Sequence, residues 1–268
     1  MSSGLYYAVS GFRCQERELE ILSHNLTNVN TIGYKDDKPS FKGVHPGITR
    51  SMTIETPADV RRFMLNQKMN MSYPGLSQVK VDYSNGQMRH TGNQLDAALN
   101  GPGFFVVDTP QGEFYTRMGN FSLNAKKELV LNEGGFPLKR KLKEKEKLTG
   151  KEGEEHIRIE GTEVNIDQDG AISVDGIPND SLRVVDFAEY AHLRKVGDNL
   201  YEHRGGKENE LTAEECGVNQ HHTELSNVNI VQKMIKMINV ARVCESYQKI
   251  IQSLDEIDTM ATRDVGAV

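Results

Sequence analysis

Apolar positions recur every three to four residues at both ends of the chain and alternate in short runs between them. Near the start, Leu5, Phe12, Leu19 and Leu26 are spaced by seven, and Ala8, Gln15, Leu22 and Val29 form a companion series offset by three. An a/d stripe sustained over about four heptads predicts a helix packed along a coiled-coil seam. Ser2 or Ser3 is placed to cap it, and the Asn-rich run 25–31 followed by Gly33 predicts its end. Near the other end, Ser226-Asn227 offers a cap before a longer helix, expected to reach about Ala261. Val231, Met234, Ile238, Ala241, Cys244, Tyr247, Ile251, Leu254, Ile257 and Ala261 recur there at intervals of three and four. The step 241–244–247 reads as a slip in the heptad. Ile230, Met237, Val243 and Ile250 widen the stripe beyond what one neighbour covers.

Between the ends the period changes to two. Short β segments are expected at 104–107, 114–116, 121–123, 129–131, 157–159, 164–166, 171–174, 182–185 and 199–201. Turn chemistry separates them: Thr109-Pro110-Gln111-Gly112, the run 167–170, and Asp175-Gly176. Short strands without long helices predict an antiparallel β domain. Residues 36–90 carry Pro39, Pro46, Pro57 and Pro74 with weak alternation, and read as an extended arm with one possible hairpin. Residues 139–156 are a low-complexity charged run, expected to stay in water.

The predicted architecture is therefore α+β. A mainly antiparallel β domain spans 91–222. An arm spans 36–90, and 1–35 with 223–268 form a discontinuous helical domain paired as a coiled coil. A lone amphipathic helix is marginal in water, so the first stripe needs a partner. Antiparallel pairing with the second stripe brings both chain ends together. The surplus width of the second stripe implies a further chain, because large apolar stripes rarely face solvent unpartnered. The expected assembly interface comprises Leu5, Phe12, Leu19, Leu22, Leu26, Val29, Val231, Met234, Ile238, Ala241, Tyr247, Ile251, Leu254 and Ile257.

Composition narrows the function. The chain has 268 residues, a formal net charge of -6 and 26% charged residues; its mean hydropathy is -0.55. An acidic balance disfavours nucleic-acid binding, and no apolar run is long enough to predict membrane insertion. The first residues lack a basic segment followed by an apolar one, so a cleavable secretory signal is not expected. Three cysteines, Cys14, Cys216 and Cys244, have neither metal spacing nor the even count of a disulfide framework.

No catalytic constellation is legible. Gly101-Pro102-Gly103 precedes a strand, whereas a phosphate loop follows one. The run 165–170 resembles the opening of a calcium loop, but Asn165 replaces the first Asp and Gly176 stands where the bidentate Glu belongs. It is expected to be a hairpin turn. His221-His222 has no third ligand at recognisable spacing and reads as linker. No serine sits in a nucleophile elbow. The reading is a non-enzyme without cofactor or metal.

Several blocks carry a resemblance. The segment Asn25-Leu26-Thr27-Asn28-Val29-Asn30-Thr31-Ile32-Gly33-Tyr34-Lys35 resembles a signature of the bacterial flagellar basal-body rod and hook family. Residues 91–107, 115–123, 182–187 with 195–201, and 224–229 with the helix after them resemble further blocks of that family, in order along nearly the whole chain. The start Ser3-Gly4-Leu5-Tyr6 and the segment 83–93 are closest to the proximal rod members.

The resemblance implies a structural subunit of the basal-body rod, in which paired terminal helices build an inner tube and the β domain an outer layer. It implies partnership with copies of the chain, with other rod and hook-family proteins, and with the flagellar type III export apparatus. Location in the periplasmic rod follows. A distal rod or hook-type sibling is the nearest alternative. A secreted glycan-binding β module is a different class, supported by little because no exposed aromatic cluster is evident in the sequence.

Overall fold

The computed structural model describes residues 3–44, 73–141, 156–205, 210–213 and 216–265. Most of the charged run 139–156 and of the arm between 45 and 72 lies outside them. The chain divides into two compact units. One contains Met1–Thr27, Asp37–Asp82 and Asn229–Val268; the other contains Asn28–Asp36 and Tyr83–Val228. The boundaries expected from sequence at 35/36, 90/91 and 222/223 therefore shift. Residues 37–82 group with the helices, and residues 28–36 and 223–228 group with the strands. In both cases local backbone pairing, described below, outweighs the change in sequence period.

The helical unit contains α1 (Ser3–Thr27) and α2 (Ile230–Val265). The second helix starts three residues later than expected because Asn229, not Ser226-Asn227, caps it: its Oδ1 accepts from the Gln232 amide at 3.1 Å. This is the N-cap to N3 bond that satisfies an orphan donor. It also runs past Ala261 to Val265. Strands β1 (Asp37–Val44) and β2 (Tyr73–Val81) pair antiparallel, with a bulge between Ser40 and Phe41. The arm thus does contain a two-stranded hairpin stem. Asn25, fully buried, fixes its root: the side chain donates to the Asp37 carbonyl (2.8 Å) and accepts from the Asp37 amide (3.0 Å).

The β unit contains β3 (Met88–His90), β4 (Ala97–Asn100), β5 (Phe104–Thr109), β6 (Gly112–Thr116), β7 (Phe121–Leu123) and β8 (Leu129–Leu131). It continues with β9 (Val164–Ile166), β10 (Ala171–Val174), β11 (Ile177–Ser181), β12 (Val184–Phe187), β13 (Leu193–Gly197), β14 (Leu200–His203), β15 (Glu210–Thr212), β16 (Gly217–Gln220) and β17 (His222–Glu224). A six-stranded sheet runs in the order β13-β14-β6-β5-β12-β15, and a three-stranded one in the order β11-β10-β9; the pairs β16-β4, β17-β3 and β7-β8 complete the unit. Every named pairing is antiparallel.

The core gathers Phe105, Val107, Met118, Phe121, Leu129, Leu131, Leu138, Ile172, Leu182 and Val218, among others. Phe105 and Val107 point into it, while Phe104, one residue out of phase, packs in an aromatic group with Tyr83, Tyr190 and Tyr201. A strand covered on both faces reads as a continuous apolar run, which Phe104-Phe105-Val106-Val107 is. Asp175 and Gly176 both take positive φ (51° and 79°), as a two-residue hairpin requires. The run 165–170 is the β9–β10 turn, closed by the Gly170 amide on the Asp167 carbonyl. Within 157–159 only Arg158 makes an isolated bridge, to Glu128, and no strand forms there; His221-His222 belongs to the β16–β17 turn and strand rather than to a linker.

Candidate assembly interface

Within the helical unit α1 and α2 pack antiparallel. A side chain at Gly4 would touch Leu254, and one at Gly11 would meet the Tyr247 ring tip at 2.7 Å. Lys236 Nζ reaches Glu18 Oε1 at 2.6 Å. The buried face of α1 is Ala8, Gly11, Cys14, Glu18, Ile21, Leu22 and Asn25. The covered or half-covered face of α2 is Lys233, Met237, Val240, Cys244, Tyr247, Ile251 and Leu254, with Ala241 beside it. The α2 series steps by four and three without interruption.

This register differs from the one the heptads suggested. On α1 only Leu22, of the predicted interface residues, is fully buried; Leu5, Phe12, Leu19 and Leu26 flank the buried line and are half-covered. The reason lies in the small residues Ala8, Gly11 and Cys14, which let the partner helix approach their face. Val29 lies beyond the end of α1, in a turn that groups with the β unit. On α2, Tyr247, Ile251 and Leu254 line the covered face with Ala241 at its edge. Val231, Met234, Ile238 and Ile257 lie outside it and are exposed, Val231 by 66% and Ile257 by 60%. The apparent slip at 241–244–247 is the crossing of two overlaid stripes. One, through Met237 and Val240, continues into Cys244 and Tyr247. The other is open.

The open positions are numerous. Ile230, Val231, Met234, Ile235 and Ile238 cluster on the first turns of α2, and Val243, Ile250 and Ile257 recur by sevens with Met260 beyond. These side chains look out on more than one side of α2, and burying each one against another surface would contribute about 1.5–3 kcal/mol.

The β unit holds a site that sequence reading missed. Glu224, Lys35 and Arg117 are buried together, each at most 2% exposed. Glu224 Oε1 accepts from Lys35 Nζ and from the Gly86 amide, both at 2.7 Å; Oε2 lies 3.4 Å from Arg117 Nη1. Lys35 also donates to the Ser84 carbonyl, and Arg117 to that of Gly101. Backbone bonds join the same segments: Gly33 to Glu224 and Leu225 to Gln87, both at 2.8 Å. Asn227 accepts from the Asp36 amide and donates to the Ser84 carbonyl. Residues 33–36, 84–87 and 224–227 are thereby tied in one knot. Gly33 is required, with φ of 69° and no room for a Cβ beside the Arg117 backbone. At Gly86 a Cβ would overlap the Leu225 carbonyl at 1.9 Å. Buried charges of this kind hold position rather than add net stability, because desolvation offsets their attraction.

Other ionisable groups are packed rather than poised for chemistry. Burial, then the bond to Asp186, pushes the Tyr190 phenol up to about 12. Burial, then the bond to Glu210, raises Tyr115. Burial pushes the Cys216 thiol up to about 11, which removes nucleophilic character at neutral pH. Lys139, at the root of the charged run, is buried and pairs with Glu113 at 2.9 Å, so this end of the run is not solvated. Among the described residues no group of three His, Cys, Asp or Glu could hold a metal ion, and no helix is long and apolar enough to cross a membrane.

Residues 98–174 match the flagellar hook protein FlgE/F/G D1 domain, and residues 219–263 match the flagellar basal body rod FlgEFG protein C-terminal family. The flagellar basal-body rod protein FlgG of Bacillus subtilis is 28% identical over 268 residues, spanning 96% of this chain and 97% of that protein. FlgG of Buchnera aphidicola from Schizaphis graminum is 27% identical over 270 residues, with the same two coverages of 96% and 97%. The flagellar basal-body rod protein FlgF of Caulobacter vibrioides is 26% identical over 268 residues, covering 100% of both chains.

Proposed function

Because the chain belongs to the flagellar basal-body rod and hook family, we propose that it is a structural subunit of the rod, located in the basal body, and that it assembles through its terminal helices. The observation that carries the mechanism is the open apolar strip on α2. The helix satisfies α1 with one face and keeps Val231, Met234, Ile238 and Ile257 exposed outside it. The half-covered ridge of Leu5, Phe12, Leu19 and Leu26 on α1 supplies a complementary surface on the next subunit.

Such a contact is heterologous: one patch meets a different patch. Repetition of it builds a helical array instead of a closed dimer. Many parallel helix seams give a shaft that resists twisting. On this reading α1 and α2 wind as a coiled coil, their small residues setting the spacing. The helical unit acts as the assembly domain, its strands β1 and β2 as the root of a linking arm, and the β unit as the outer domain. The partners are copies of the chain, other rod and hook-family proteins, and the flagellar type III export apparatus that delivers the subunit. We place it at the proximal end of the rod on the strength of residues 3–6 and 83–93.

The test is Ile238→Asp, introduced at the chromosomal locus. The variant should fold and be produced at normal level, because Ile238 is exposed. Cells should not swim, and electron micrographs of their basal bodies should show the axial structure interrupted. Normal swimming and complete basal bodies would falsify the assembly mechanism.

A further inference from the structure

We propose that Cys14 and Cys244 are a modification site: a thiol pair, opposed across the α1–α2 contact, that closes into a disulfide joining the two terminal helices. The assignment comes from register. Gly4 lies against Leu254 and Gly11 against Tyr247. Three residues on from Gly11 is Cys14; three residues back from Tyr247 is Cys244. In an antiparallel pair those two steps arrive at the same layer. Both cysteines lie on the covered faces, Cys14 buried and Cys244 half-buried, and both are thiols.

The geometry suits the bond. A disulfide needs Cα atoms within roughly 7 Å of each other. Packed helices have axes about 8–10 Å apart, and each Cα stands about 2.3 Å from its own axis. Directly facing residues then have Cα atoms about 3.4–5.4 Å apart, inside that limit. The face of α1 here is Ala8, Gly11 and Cys14, the smallest run along the contact. The third cysteine is no competitor, since Cys216 belongs to the other unit.

Oxidised glutathione suffices as the oxidant. The half-buried Cys244 gives its proton to solvent, and its thiolate attacks one glutathione sulfur. The glutathione disulfide breaks and one glutathione thiolate leaves, taking up a proton. The Cys14 thiolate then attacks Cys244 Sγ, and the second glutathione leaves in the same way. Two electrons pass from the protein to the oxidant, one S–S bond forms, and two reduced glutathiones result. Burial raises the Cys244 thiol above its ordinary value, so closure should quicken as pH rises.

The experiment uses purified full-length protein, reduced and then exposed to oxidised glutathione at low protein concentration. Peptide mapping without reductant is carried out on the native chain, on the chain in urea, and on Cys14→Ser, Cys216→Ser and Cys244→Ser variants. The expected result is a mass loss of two hydrogens with one dominant cross-link, joining the Cys14 and Cys244 peptides. It should appear in the native chain and in Cys216→Ser, vanish in the other two variants, and lose its dominance in urea. Dominant linkage through Cys216, disulfide-linked dimers, or glutathione retained on Cys14 or Cys244 without closure would each overturn the proposal. If a serine variant fails to fold, the map of the native chain against that in urea decides alone. The readout is independent of motility, so the rod assignment is not at stake in it.

Discussion

The two units handle apolar surface in opposite ways. In the β unit, Phe105, Val107, Met118, Leu129 and Ile157 are each at most 1% exposed, and the buried charges of Lys35, Arg117 and Glu224 meet one another. In the helical unit, α2 sends Val231, Ile235, Ile238, Ile257 and Met260 into solvent, each more than half exposed. The first unit gathers its apolar positions into one core and leaves Ile177, Val196 and Leu211 on its surface. The second has enough contact to set a register and, on the proposed reading, leaves the rest to neighbours. Self-sufficiency and incompleteness coexist in one molecule because the two periods keep their buried surfaces separate.

The largest effect should come from breaking the knot that completes the β unit. Glu224→Ala leaves Lys35 and Arg117 buried without their carboxylate and should cost about 3–5 kcal/mol, read as a lower urea midpoint of the β unit. A shift of less than about 1 kcal/mol would mean that water replaces the carboxylate and the unit is less closed than its burial indicates.

A smaller loss is expected in the helical unit from Gly11→Ile. The new side chain has no space beside Tyr247 and should cost about 1–3 kcal/mol. Melting followed by helical circular dichroism should lose cooperativity, while near-ultraviolet signals from the β unit stay unchanged.

Alkaline pH separates the units more finely. Tyr190 in the folded β unit titrates at about 12 against an ordinary 10.0. A folded value above the unfolded one contributes stability that is complete below pH 10.0 and is lost as pH rises through about 12. Denaturant midpoints should therefore hold steady up to that window and fall within it, and Tyr190→Phe should flatten the fall. An unchanged slope in the variant would assign the loss to other groups.

The smallest effect on folding belongs to the open strip. Ile257→Lys should change stability by less than about 0.5 kcal/mol in the monomer, because the side chain is 60% exposed. Its effect should appear only as loss of self-association, followed by sedimentation. A large destabilisation would show that the strip is covered within one molecule.

Much of this division was legible in the sequence, and the reason differs by region. Period alone located both helices and the strands from Phe104 to Leu131, because those side chains report on burial along their own segment. The helix register was displaced. Leu5, Phe12, Leu19 and Leu26 are the most apolar series on α1, yet Ala8, Gly11 and Cys14 take the closest contact because they are small. A count of hydrophobicity ranks volume above approach. The Glu224 knot was invisible to period, since its members come from segments far apart and charged residues are ordinarily read as surface. One signal was available: Gly33 and Lys35 stand in one block of the family resemblance, Glu224 and Asn227 in another. His221-His222 was misread because a positive φ at His221 turns the chain directly from one strand into the next.

The placement of Glu224 has a consequence for how the polypeptide is born. Its carbonyl receives the Gly33 amide, and its carboxylate receives Lys35 and Gly86. Strand β4 waits for β16, and β3 waits for β17. Once Lys35 has been made, a ribosome must add another 189 residues before Glu224 exists to receive it. Contacts so remote in sequence delay folding. Until β16, β17 and Glu224 have been made, the segments that they complete have no mates, and the β unit stays unlocked.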